Sequence, residues 1–149
     1  MLSIQISDIK DFMSHLLSKD TFDHFYFIEA SIKMGVSYQI QGRINEGFYD
    51  TSVEQTLNRE FCYWKEIRHR IFDIIKGKRL PLSCKIVLGL SKQSISYLIA
   101  HNNSSFREED IEGIYVNILY DPKNLLITTG ISYKNFSLDK SLEYAFDEY

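Results

Sequence analysis

Residues 26 to 44 read Tyr26-Phe27-Ile28-Glu29-Ala30-Ser31-Ile32-Lys33-Met34-Gly35-Val36-Ser37-Tyr38-Gln39-Ile40-Gln41-Gly42-Arg43-Ile44, and the spacing of their apolar side chains decides the fold class. Tyr26, Ile28, Ala30, Ile32 and Met34 alternate with Phe27, Glu29, Ser31 and Lys33, which is the period of a strand whose two faces meet different surroundings. Gly35 supplies a turn, and Val36, Tyr38, Ile40 and Ile44 continue the alternation on the return. The stretch predicts a long hairpin with one wet face.

On the amino-terminal side of the hairpin, Leu2, Ile4 and Ile6 predict a short strand. Ser7 is placed to accept the free amides of a helix whose Ile9, Phe12, Met13, Leu16 and Leu17 share one face. On the other side, Asn45 to Glu60 mixes Gly47, Asp50, Thr51, Ser52 and Asn58 among few apolar residues and reads as a loop with room for short structure. From Phe61 to Lys76, Trp64, Ile67, Ile71, Ile74 and Ile75 recur at helical spacing, with Lys65, Arg68, His69, Asp73 and Lys76 outside. Gly77 ends that helix and Pro81 prevents its resumption.

The same order then returns. Ile86, Leu88 and Leu90 alternate, Ser91 caps a helix carrying Ile95, Leu98 and Ile99, and Ile114, Val116, Ile118 and Tyr120 alternate into the turn Asp121-Pro122-Lys123-Asn124. Leu125 to Tyr133 is the partner strand. A closing helix, capped by Ser137 or Asp139, lines up Leu138, Leu142, Ala145, Phe146 and Tyr149. Two strand-helix-hairpin-helix halves, about 1–79 and 80–149, therefore predict one compact α+β domain over 1–149, with a largely antiparallel sheet and about four helices mainly on one side. The halves share almost no aligned identities, so the repeat is one of pattern.

The composition excludes several classes. An apolar fraction of 44% against 25% charged, in 149 residues, is that of a globular domain able to bury roughly 70% of its unfolded surface. A net charge of -3 provides no global field towards nucleic acid or an anionic membrane, so any such binding has to be local. Cys62 and Cys84 lack a paired-ligand spacing and read as free thiols. The start of the chain lacks the basic and apolar blocks of a secretory signal, and no apolar run approaches the ~20 residues that span a bilayer. The expectation is a soluble cytoplasmic protein.

Few residues point to chemistry. Arg68, His69 and Arg70, followed by Lys76, Gly77, Lys78 and Arg79, form the densest positive charge. Cations there could receive a phosphate or carboxylate, or merely offset the helix dipole. The glycine and hydroxyl residues of a P-loop are absent. His15, His24, His69 and His101 show no metal-ligand spacing, so neither a metal nor a cofactor is expected. Asp23 beside His24 could orient a base, although neighbours on a strand point to opposite faces. Asp139, Glu143 and Asp147 fall four apart on the last helix, as a solvated face commonly does. Glu29 is a catalytic candidate only if its face is covered. No nucleophile elbow or dinucleotide loop is present.

Several stretches resemble an uncharacterised family, a domain of unknown function found in small proteins of anaerobic Gram-positive bacteria. They are Thr21-Phe22-Asp23-His24-Phe25, Glu29-Ala30, Gly42-Arg43-Ile44, Phe48-Tyr49-Asp50, Lys76-Gly77-Lys78-Arg79 with Pro81, Thr128-Thr129-Gly130 and Leu138-Asp139-Lys140-Ser141-Leu142-Glu143. The resemblance covers essentially the whole chain and brings no reaction or ligand. In topology alone the repeated order is similar to the units of DNA sliding clamps. The first helix region, with Asp8, Lys10, Asp11, Lys19 and Asp20, and the third helix, with little beyond Lys92, lack the cationic lining those rings use.

A well-patterned fold without a reaction motif predicts a non-catalytic binding or assembly module acting through a surface, with self-association worth testing. The alternative is a small-molecule enzyme or anion-binding protein using Arg68, His69, Lys76, Lys78 and Arg79, with Tyr49 and Asp50 from the long loop. A clamp-like nucleic-acid-associated protein is the third reading.

Overall fold

The computed structural model describes residues 3–48, 60–101 and 111–133. Within them six strands make one sheet: β1 (Ser3–Gln5), β2 (Tyr26–Lys33), β3 (Ser37–Gln41), β4 (Ser83–Gly89), β5 (Ile111–Tyr120) and β6 (Leu125–Tyr133). The strand order is β1-β6-β5-β4-β2-β3 and every neighbouring pair is antiparallel. Three helices, α1 (Ile9–Leu17), α2 (Trp64–Ile75) and α3 (Lys92–His101), complete an α+β fold.

Register explains which face is buried. Cys84, Ile86 and Leu88 of β4 stand opposite Tyr120, Ile118 and Val116 of β5, and Ile32, Ala30 and Phe27 of β2 stand opposite the same three β4 residues. Directly paired residues share a face, so these nine side chains form one buried apolar layer. Leu16 and Leu17 of α1, Trp64 and Ile71 of α2 and Leu98 of α3 close over it as one core. Each such side chain contributes roughly 1.5–3 kcal/mol on burial. The Trp64 indole donates to the Leu16 carbonyl at 2.7 Å. That bond joins the start of α2 to an otherwise open carbonyl near the end of α1.

The hairpin of β2 and β3 forms as its alternation predicts, but one residue breaks the parity. A bulge between Phe27 and Glu29 leaves Phe27 on the buried face with Ala30 and Ile32, where strict alternation places it opposite them. Nearby, residues 61–63 do not begin the helix as their spacing suggests. They lie extended against the strand ends instead: Phe27 N donates to Cys62 O at 2.8 Å, Cys62 N to Gly42 O at 2.9 Å and Trp64 N to Phe25 O at 2.8 Å. Backbone groups satisfied by a neighbouring strand outweigh a helical turn there. Helix α2 starts only at Trp64, with Glu66 accepting from Tyr63 N at 2.9 Å.

Other boundaries also move. Asp8, rather than Ser7, caps α1 by accepting from Asp11 N at 3.0 Å. Ser91 caps α3 as expected, accepting from Ser94 N at 3.3 Å. Gly77, at a φ of +147° that side chains with a Cβ rarely adopt, follows the end of α2. The Asp121 carboxylate accepts from Lys123 N and Asn124 N and so closes the turn of β5 and β6. Each half contributes an antiparallel hairpin, β2–β3 and β5–β6, but their first strands are placed differently, since β4 lies between β2 and β5 whereas β1 pairs with β6. The expected closing helix, Tyr49, Asp50, and the carboxylates Asp139, Glu143 and Asp147 lie outside the described residues.

Candidate functional site

The basic segment is divided by the structure. Arg68 is turned inward across the α1–β2 connection: its Nε lies 3.1 Å from Asp23 Oδ1, its Nη2 3.2 Å from Asp23 Oδ2, and its Nη1 donates to the Lys19 carbonyl at 2.8 Å. A planar guanidinium suits this paired contact with a carboxylate. Asp23 is thereby occupied by Arg68 and does not orient His24. His69 is exposed on α2, and Lys76 follows Arg68 by eight positions, about 12 Å along the axis. Lys76 meets Asp73 at 3.0 Å, while Lys78 and Arg79 are exposed beyond the helix end. The five candidate residues share an element and its tail.

Lys78 and Arg79 do have neighbours that charge alone does not reveal. The chain continues through Leu80 and Leu82, which are 66% and 69% exposed, while Pro81 between them is buried. Leu82 N donates to Lys33 O at 2.8 Å, which pins this loop beside the β2–β3 turn, where Val36 is 64% exposed. Lys33 and Lys85 are exposed on the adjoining strands. The result is a rim whose three open aliphatic side chains stand on segments that also carry the exposed Lys33, Lys76, Lys78, Arg79 and Lys85. Its signal in the sequence is Leu-Pro-Leu directly after Lys-Gly-Lys-Arg, with no periodic element to bury the leucines.

At the opposite end of β4 lies a cleft of about 90 Å³, lined in part by Tyr26, Ile28, Glu60, Phe61, Glu112 and Tyr115. Two bulges create it. One carries Ile28 in β2, and the other, between Ile111 and Gly113, carries Glu112 in β5. Bulges re-aim side chains where a sheet is interrupted. Gly89 sits between them, close enough that a Cβ would stand 3.1 Å from Ile28 Cδ1. Burial first, then the negative charges of Glu112 and Glu60, pushes the Tyr115 hydroxyl above the ordinary tyrosine range. Glu112 accepts from Ser132 Oγ at 2.8 Å, and Arg43 reaches both Glu60 and the face of Phe61. Lys92, at the start of α3, lines the same cleft. None of these residues stands out in sequence, although glycines 89 and 113 inside strand patterns hint at broken pairing.

Other candidates resolve simply. Glu29 is exposed on its strand. His15 Nδ1 lies 3.0 Å from Thr21 Oγ1 and His101 Nδ1 2.9 Å from the Tyr97 carbonyl. Among the described residues no three of His, Cys, Asp and Glu come together as a metal would need. Cys84 is buried, which pushes its thiol up to about 12. Among the described residues no helix is long and apolar enough to cross a membrane.

Six antiparallel strands with helices closed over one face define an α+β protein. The chain belongs to a family of unknown function, DUF5721, whose model matches residues 15–149. No curated protein and no solved structure matches it.

Proposed function

We propose that the protein is a non-catalytic, cytoplasmic binding module that acts through the cationic, apolar rim of the 76–82 loop and the β2–β3 turn. The observation that carries this reading is the exposure of Leu80 and Leu82 beside Lys78 and Arg79. Exposed leucines adjoining one another have a reason in a partner surface rather than in the fold. An enzyme built on Arg68, His69, Lys76, Lys78 and Arg79 has less support, because Arg68 and Lys76 already have carboxylate partners. The test is site-specific photocrosslinking in the host cell. A crosslinker at Leu82 should form discrete adducts that one at Tyr97, exposed on α3, does not. Equal labelling at both positions, or none, overturns the reading.

A second reading, capture of a small polar ligand, rests on the two bulges that turn Ile28 and Glu112 into one cleft. Screening by thermal shift should then find a compound that raises the melting temperature of the wild-type chain and not of Glu112→Gln. Equal shifts in both proteins would rule it out.

A further inference from the structure

Resting on the rim reading, we propose that the partner of the rim is an anionic lipid surface, on which the protein docks by inserting Leu80, Leu82 and Val36 between headgroups. Charge complementarity argues for the sign. Lys33, Lys76, Lys78, Arg79 and Lys85 are exposed on the segments that carry the three aliphatic side chains, and Asp73 pairs with Lys76 there, although the whole chain carries -3. These segments therefore carry five exposed cations against one carboxylate, so an anionic plane would orient the protein with this end down. Cations beside protruding apolar groups are the combination that holds peripheral proteins to charged bilayers.

Shape argues for lipid over an acidic protein. Leu80 and Leu82 stand in a connecting loop and Val36 in the turn between two strands, each about two-thirds exposed. A protein partner would need a cavity shaped for these projections, whereas acyl chains close around any projection. The loop is also held in place: Pro81 is buried, Leu82 is bonded to Lys33, and Gly77 sets the exit from α2. The leucines are thus presented at little further loss of freedom.

The test uses the full chain in flotation with vesicles of phosphatidylcholine alone and of phosphatidylcholine with 30% phosphatidylserine. Two double variants accompany it, Leu80→Ser with Leu82→Ser and Lys78→Glu with Arg79→Glu, all four positions being exposed so that folding is retained. Emission from Trp64 checks that. The wild type should float with the anionic vesicles only and lose binding as salt rises. Each cation near the surface contributes about fivefold, so the charge-reversed variant should lose more than tenfold, and the serine variant a similar amount. Absence of anionic-vesicle binding, or binding that both variants retain, overturns the lipid inference. If in that case the Leu82 crosslinker still forms discrete protein adducts, or light scattering shows self-association that both variants abolish, the rim reading stands with a protein occupant. If neither is seen, both fall.

Discussion

At the scale of single residues, three positions show how differently a side chain can be committed. Arg68 and Asp23 hold each other with side chains 23% and 14% exposed, so removing one partner leaves a charge in a site that is only partly wet. Arg68→Ala should lower stability by about 2 kcal/mol, less than for a fully buried pair, read from the urea midpoint. Gly42 is fixed by approach rather than by angle, since a Cβ there would lie 1.8 Å from the Phe27 carbonyl oxygen. Gly42→Ala should cost at least ~1–3 kcal/mol, and an unchanged melting temperature would contradict that geometry. Cys84 keeps its proton in the fold from about 9 up to about 12, whereas the unfolded chain loses it near 9. The native state binds more protons across that window, so this thiol lowers stability as pH rises through it. Below it the contribution is constant. Thiol labelling at pH 8 should accordingly modify Cys62 first and Cys84 only when the chain unfolds.

At the scale of elements, alternation and helical spacing were legible because burial imposes them. The β2–β3 hairpin, the α3 cap at Ser91 and the Asp121 turn all follow from local chemistry. What alternation conceals is a one-residue insertion: the bulges at Ile28 and Glu112 preserve the composition of each strand while reversing its parity. The cleft they frame was illegible for the same reason. The start of α2 was misplaced because residues 61–63 find their partners in β2 and Gly42, far away in sequence. Capping is also local, and Asp8→Ala should cost α1 about 1 kcal/mol, whereas Ser7→Ala should cost little; thermal melts of the two variants decide between them. Trp64→Phe keeps one aromatic ring but removes the pyrrole part of a fully buried indole and leaves the Leu16 carbonyl unbonded, a loss of at least roughly 1–3 kcal/mol measurable by chemical denaturation.

At the scale of the whole molecule, strand order is what sequence could not provide. Pairing Ser3 with Thr128 joins residues from opposite ends of the chain, and no local pattern announces such a partner. The order does predict where the protein opens first. The edge strands β1 and β3 lie mostly exposed, while β4 and β5 are central and largely buried. Hydrogen exchange should therefore be slowest at Ile86, Leu88, Val116 and Ile118 and fastest at Ile4 and Gln39. A reversed ranking would argue against this sheet. Charge was legible as a segment but not as a surface, because the same cations serve two ends: Arg68 stabilises the interior while Lys78 and Arg79 face outward.

The antiparallel bridge of Arg43 with Phe61, continued by Ile44 N donating to Glu60 O at 2.9 Å, sets two distant points of the chain side by side. Whatever length of polypeptide runs between Asn45 and Glu60, its two ends are already fastened together. With the ends held, lengthening the chain between them adds only ~0.6 kcal/mol of ring-closure entropy for each doubling of length. This junction is thus a natural splice point for a fluorescent or affinity tag that leaves the sheet intact.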